Sequence, residues 1–255
     1  MSHDVGTAHG HGEEGHAHWD WSVWPFVASF GILALSLAFS LHYVYHSSFA
    51  AVITLGIGLI LVIAGVAGWT SEAMGQGEGM SYGAMGWFIL AEAMIFLSLF
   101  AMYWFSRLEA GSWPPANTPH ISKILPLVMT VILVSSSFTI HHAEALLHGG
   151  NLAGFRTWLL VTVVLGAAFL GMSMYEWNHL MHGGFNIGTN IYATSFYSIT
   201  GLHASHVIVG LSIFLAGLPS AMKGTASLGF WRTAGLYWHF VDIIWFFVVS
   251  QIYFW

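Results

Sequence analysis

Seven long apolar runs fill almost the whole chain and leave room for little but a fold that lives in lipid. They cover roughly 21–43, 48–69, 84–106, 123–147, 154–177, 191–217 and 230–254. About 20 apolar residues, each rising 1.5 Å along a helix, cross the hydrocarbon of a bilayer, and every run is at least that long. A segment in hydrocarbon must satisfy its own backbone hydrogen bonds, so runs of this length read as helices. Only five Lys and Arg occur in 255 residues, with 6% charged against 56% hydrophobic residues; a soluble domain carries about 25% charged. Mean hydropathy is +0.71. The expected fold class is an all-α membrane protein with seven transmembrane helices.

Several classes fall away on residue type alone. Cysteine is absent, which removes disulfides, thiolate metal sites and thiol nucleophiles. No basic patch supports nucleic-acid binding. A retinal-type Schiff base needs a lysine within a span, but Lys123 sits at a span edge and Lys223 in a loop. No span carries two histidines 13 or 14 residues apart, as a four-helix haem protein would use. Neither a Gly-x-Ser-Gly element nor a phosphate-binding glycine loop is present.

The first twenty residues hold His3, His9, His11, His16 and His18. They lack the basic start, apolar stretch and cleavage site of a signal peptide. They read as a flexible His-rich tail, 1–20, with weak metal binding as the alternative. The spans 21–69 are nearly free of ionisable groups, apart from His42 and His46 at an end. A polar, Gly-rich connector follows at 70–83, then five spans over 84–255 that carry the buried polar groups. This predicts a two-helix pair beside a five-helix bundle. Trp and Tyr at the span ends, among them Trp19, Trp24, Trp104, Trp113, Trp177, Tyr253 and Trp255, fit an interfacial aromatic belt. Lys and Arg divide three to two in favour of a cytoplasmic N-terminus.

Ionisable groups at membrane depth cost roughly 2.5–3.5 kcal/mol on insertion scales, so each needs a partner or a task. Glu92 lies about eight residues into its span and reads either as a proton-accessible carboxyl or as a neutral acid bonded to another helix. His203 and His206 share one helix face at i and i+3. Two imidazoles alone do not make a metal site, so interhelical hydrogen bonds are expected. His239 and Asp242 repeat this spacing in "YWHFVDIIW" and fall in the same half of the bilayer as Glu92. A buried His–Asp–Glu cluster follows as the expectation. His141, His142, Glu144 and Glu176 lie near span ends, where headgroups can solvate them.

The motif "YWHFVDIIWFFVVSQIYFW" closely resembles the last span of subunit III of haem–copper terminal oxidases. "GLHASHVIVG", "AEAMIFLSLF", "IHHAEALLHGG" and "MYEW" resemble further spans of the same family, in the same order. The resemblance implies a two-plus-five helix arrangement and a non-catalytic chain that binds no metal or cofactor itself. Haem and copper belong to partner subunits, and structural phospholipid is held between the two bundles. It further implies subunit I as main contact, with subunit II and other respiratory-complex subunits nearby, and support of proton uptake and turnover lifetime while subunit I reduces oxygen. Glu92 falls at the family's carbodiimide-reactive glutamate, and Trp69 and Glu72 fall in its lipid-headgroup region. The family's usual Trp-Trp-Arg-Asp run and Gly-His-His stretch are replaced here by "GWTSEAMGQGEGM", so Lys223 or Arg232 becomes an alternative phosphate contact. The atypical connector favours a bacterial plasma membrane. Two other classes compete: a stand-alone proton-coupled transporter using Glu92, Glu144 and His239, and a haem-binding membrane anchor. The absence of an internal repeat counts against the first, and histidine spacing against the second.

Overall fold

The computed structural model describes residues 23–43, 45–75 and 82–254. Among these, seven α-helices follow one another: α1 (Trp24–Tyr43), α2 (Ser48–Gly75), α3 (Tyr82–Glu109), α4 (Ile124–His148), α5 (Leu152–His182), α6 (Ile191–Lys223) and α7 (Leu228–Val248). A π-helical turn, Val249–Tyr253, continues α7. Among the described residues, six helices are long and apolar enough to cross a membrane. In α1 the apolar helix described is Trp24–Leu35. Several helices run beyond the apolar runs; α5 reaches His182, five residues past the expected end at 177. The His-rich tail, residues 76–81 of the expected connector and Trp255 lie outside the described residues, while 70–75 and 82–83, expected in the connector, are helical parts of α2 and α3.

The chain divides into two compact units, Met1–Glu78 and Gly79–Trp255. In the first, α1 and α2 pack along small residues. A Cβ on Gly31 would lie 2.7 Å from the Val62 backbone nitrogen, and one on Gly65 would lie 2.6 Å from that of Ala28. Such approach without side chains is how helices associate in lipid, where no hydrophobic force drives them together.

The second unit holds α3–α7. Asn151 starts α5 and Asn190 starts α6, each side-chain oxygen accepting a hydrogen bond from the backbone N–H three residues on. Asn190 also donates to Thr118 Oγ1 at 2.9 Å, tying the α3–α4 connection to α6. Gly224 closes α6 in the left-handed conformation that suits glycine. Helix α7 packs against α3, α4 and α6 and buries Trp231, Tyr237, Trp238 and Trp245. Trp238 fits because Gly166 and Gly210 carry no Cβ: one on either would lie within 2.8 Å of its ring.

Candidate functional site

The polar groups of the second unit gather into three junctions, set by which face of α7 each neighbour meets. Glu92, about 15 Å along α3 from Tyr82, meets α6: its Oε2 lies 3.0 Å from His206 Nε2. The other ring nitrogen of His206, Nδ1, is 2.8 Å from the Leu202 carbonyl and must donate to it, since a carbonyl only accepts. A neutral His206 therefore presents a bare Nε2, and Glu92 donates to it as a carboxylic acid. A protonated His206 pairs instead with a carboxylate. Either way one proton resides between the two side chains. Phe96 packs 5.0 Å from the imidazole, and the Tyr237 ring stacks over it at 6.4 Å while its hydroxyl donates to the His206 carbonyl.

The second junction joins α7 to α4. His239 Nδ1 lies 2.5 Å from Ser137 Oγ, with the His141 ring 6.4 Å away. Asp242, 5% exposed, lies against the same Ser137 hydroxyl, yet neither carboxyl oxygen completes a hydrogen bond of standard geometry. Trp238 Nε1 donates to Ser136 Oγ at 2.9 Å, and Trp245 Nε1 to Thr130 Oγ1 at 3.0 Å. The expected cluster of His239 and Asp242 with Glu92 is thus corrected: Glu92 bonds His206, and His239 bonds Ser137. Residues two apart on a helix point about 200° apart, so Tyr237 faces the Glu92–His206 pair while His239 faces α4.

Farther along this seam Glu144 lies so close to Gly235 that the latter has no room for a Cβ, and Arg232 is the cation acting on its carboxyl. Glu144 is therefore half-buried, more enclosed than its place near a helix end suggests. His141 and His142 are exposed, the latter edge-on to Trp158 at 4.9 Å. His203 behaves unlike its neighbour His206. It is 1% exposed, caged by Phe169 and Trp245 at 5.5 and 4.9 Å, and neither ring nitrogen has a hydrogen-bond partner. The expected interhelical bond forms at His206 and not at His203.

The third junction surrounds the π-helical end of α7. Widening a helix and ending it leaves carbonyls unpaired, and tyrosines take them up. Tyr103 donates to the Gln251 carbonyl at 2.7 Å and Tyr192 to that of Ile252 at 2.8 Å. Trp104 Nε1 donates to Gln251 Oε1, and Tyr253 donates to Glu176 Oε2 at 2.7 Å. Glu176 is buried, not solvated at a helix end, because α5 extends past it. Tyr253, expected in an interfacial belt, is likewise buried. Glu176, His120, Ser122, Tyr175 and His179 line a cavity of about 180 Å³.

Lys223, in the last turn of α6, and Arg232 are exposed. The side chains of Trp69 and Glu72 lie outside the described residues. Among the described residues no three His, Asp or Glu side chains converge as metal ligands would. Ser137, Tyr103, Tyr192 and Gln251 were not singled out by sequence. A serine in an apolar run ordinarily bonds its own helix, and the triple serine "VSSSF" was the available signal.

Residues 16–255 match the family described as Cytochrome c oxidase subunit III. A cytochrome c oxidase subunit 3 from Synechocystis sp. is 39% identical over 171 residues, covering 65% of this chain and 72% of its own length. Those from Mammuthus primigenius and Pyricularia grisea are 31% and 32% identical, each over 92% of this chain and over 95% and 92% of their own lengths.

Proposed function

The chain belongs to the cytochrome c oxidase subunit III family, and we propose that it serves as the non-catalytic core subunit III of a proton-pumping haem–copper terminal oxidase. The observation that carries this reading is the unbroken family match from residue 16 to the C-terminus. In it the chain binds subunit I, lies near subunit II, and supports proton uptake and turnover lifetime while subunit I reduces oxygen to water. The two units act as a helical pair and a five-helix bundle in a bacterial plasma membrane, with the N-terminus cytoplasmic. Lys223 and Arg232, at neighbouring helix ends, supply phosphate contacts for structural phospholipid.

The junctions suit such a role because they are internal. Glu92, His206 and Tyr237 tie α3, α6 and α7 together, which keeps the outer apolar face of the bundle fixed for a partner. That face displays Met94, Leu97 and Phe105 along α3. Depleting the chain from the oxidase should leave initial oxygen reduction in place and shorten the number of turnovers before inactivation, with re-addition restoring it. An oxidase whose turnover lifetime is unchanged by depletion would refute the supporting role.

A further inference from the structure

The α4–α7 seam carries polar groups in an antiparallel ladder that the pairing of helices does not require. From the helix ends inward, α4 contributes Glu144, His141 and Ser137, one turn apart, and α7 contributes Arg232, Gly235, His239 and Asp242. The outermost groups are half-buried or exposed, and the innermost, Asp242, is 5% exposed. Asp242 lies about 21 Å along α7 from Leu228, with its carboxyl short of a full hydrogen bond. A buried carboxylate without a partner is costly, so the ladder leads from the surface to an acid that is best kept protonated.

We propose that Asp242 is an exchangeable proton-holding site, reached from the His141 side through His239 and the Ser137 hydroxyl. Ser137 Oγ serves both ends of the step: it lies 2.5 Å from His239 Nδ1 and is the hydroxyl acting on the Asp242 carboxyl, whose oxygens have no completed hydrogen bond. With His239 Nδ1 bare, Ser137 donates to it. The Asp242 O–H bond then breaks as its proton moves to Ser137 Oγ, while the hydroxyl's own proton passes to Nδ1. Serine ends as a hydroxyl, Asp242 as a carboxylate and His239 as an imidazolium. Loss of the Nε2 proton toward His141, whose ring is 6.4 Å from that of His239 and exposed, returns the imidazole to neutrality. Reversal reloads the acid.

Other ionisable groups near α7 are otherwise engaged. On α6, His206 bonds Glu92 of α3, and His203 is caged between Phe169 and Trp245. Glu144 and Arg232 sit farther out along the same seam. The inference rests on the seam alone and holds whether or not the chain works in an oxidase.

The test is infrared spectroscopy of the full chain, purified with whatever partners it retains. Asp242→Asn should remove a protonated-carboxyl band; should that variant not assemble, Asp242→Glu identifies the band by displacing it. In the unaltered chain the band should shift promptly on transfer to D2O. Ser137→Ala should slow that shift by about tenfold or more, equal to ~1.4 kcal/mol or more on the barrier, and Ser137→Thr, which keeps the hydroxyl, should restore it. The proposal is overturned if neither Asp242 variant alters a protonated-carboxyl band or if the unaltered band does not exchange. It is equally overturned by Ser137→Ala exchanging at the normal rate, or by Ser137→Thr failing to restore it.

Discussion

In the α1–α2 unit, glycines let two helices approach until backbone meets backbone; in the α3–α7 unit, tryptophans, tyrosines and histidines hold five helices through directional bonds. In the second unit burial rises from 17% of the α3 span to 61% of the α7 span, whereas 17% of Ser48–Gly65 in α2 is buried. Ser29 and Thr54, in the first unit, bond carbonyls of their own helices. Ser136, Ser137 and Thr130, in the second, bond side chains of α7. The difference teaches where specificity lies. Close packing of small residues fixes distance but tolerates sliding, whereas a buried N–H aimed at one hydroxyl fixes register, because an unmade bond in hydrocarbon has no water to replace it.

The sharpest way to break this contrast is Trp238→Ala. It removes a fully buried ring, its bond to Ser136 and the filling of the Gly166–Gly210 groove. A loss of about 3–5 kcal/mol is expected, seen as a large fall in the thermal midpoint of the purified protein. Gly65→Leu tests the first unit instead. With a Cβ required 2.6 Å from the Ala28 backbone, overpacking should cost about 1–3 kcal/mol and raise hydrogen exchange in α1 and α2 while α7 stays protected. Equal loosening of α7 would show that the two units are not separable.

Smaller effects sharpen the comparison. Tyr253→Phe removes the donor to Glu176, but Glu176 also lines the cavity of about 180 Å³, where water can replace the bond. The expected cost is about 1 kcal/mol, again read from the thermal midpoint. Glu92→Gln should matter least, within about 0.5 kcal/mol, if the pair is a neutral acid and a neutral imidazole, because an amide N–H donates to His206 Nε2 as the acid does. A loss of several kcal/mol would identify an ion pair instead.

The membrane class and the order of the helices were legible because apolar length is a one-dimensional signal. Glu92, His206, His239 and Asp242 stood out for the same reason, being costly where they are. Their partners did not. Whether Asp242 faces Glu92 or Ser137 depends on the rotation of α7 about its axis, which is set by Trp238 and Trp245 seeking hydroxyls on α4. Neither indole betrays that in a sequence full of aromatics. Glu176 and Tyr253 were misjudged because α5 outlasts its apolar run, so distance from the run's end did not measure distance from water. His203 shows the converse: an i, i+3 pair on one face need not share one environment, since aromatic rings enclose one member and a carboxyl meets the other.

The most direct test of the proposed role is gentle purification from native membranes by a tag on this chain, followed by subunit identification and an optical spectrum. The expected result is co-purification of larger haem–copper subunits, with the haem spectrum leaving the tagged fraction when those subunits are stripped from it. A chain that emerges alone, colourless and stable would contradict the assignment as an oxidase subunit.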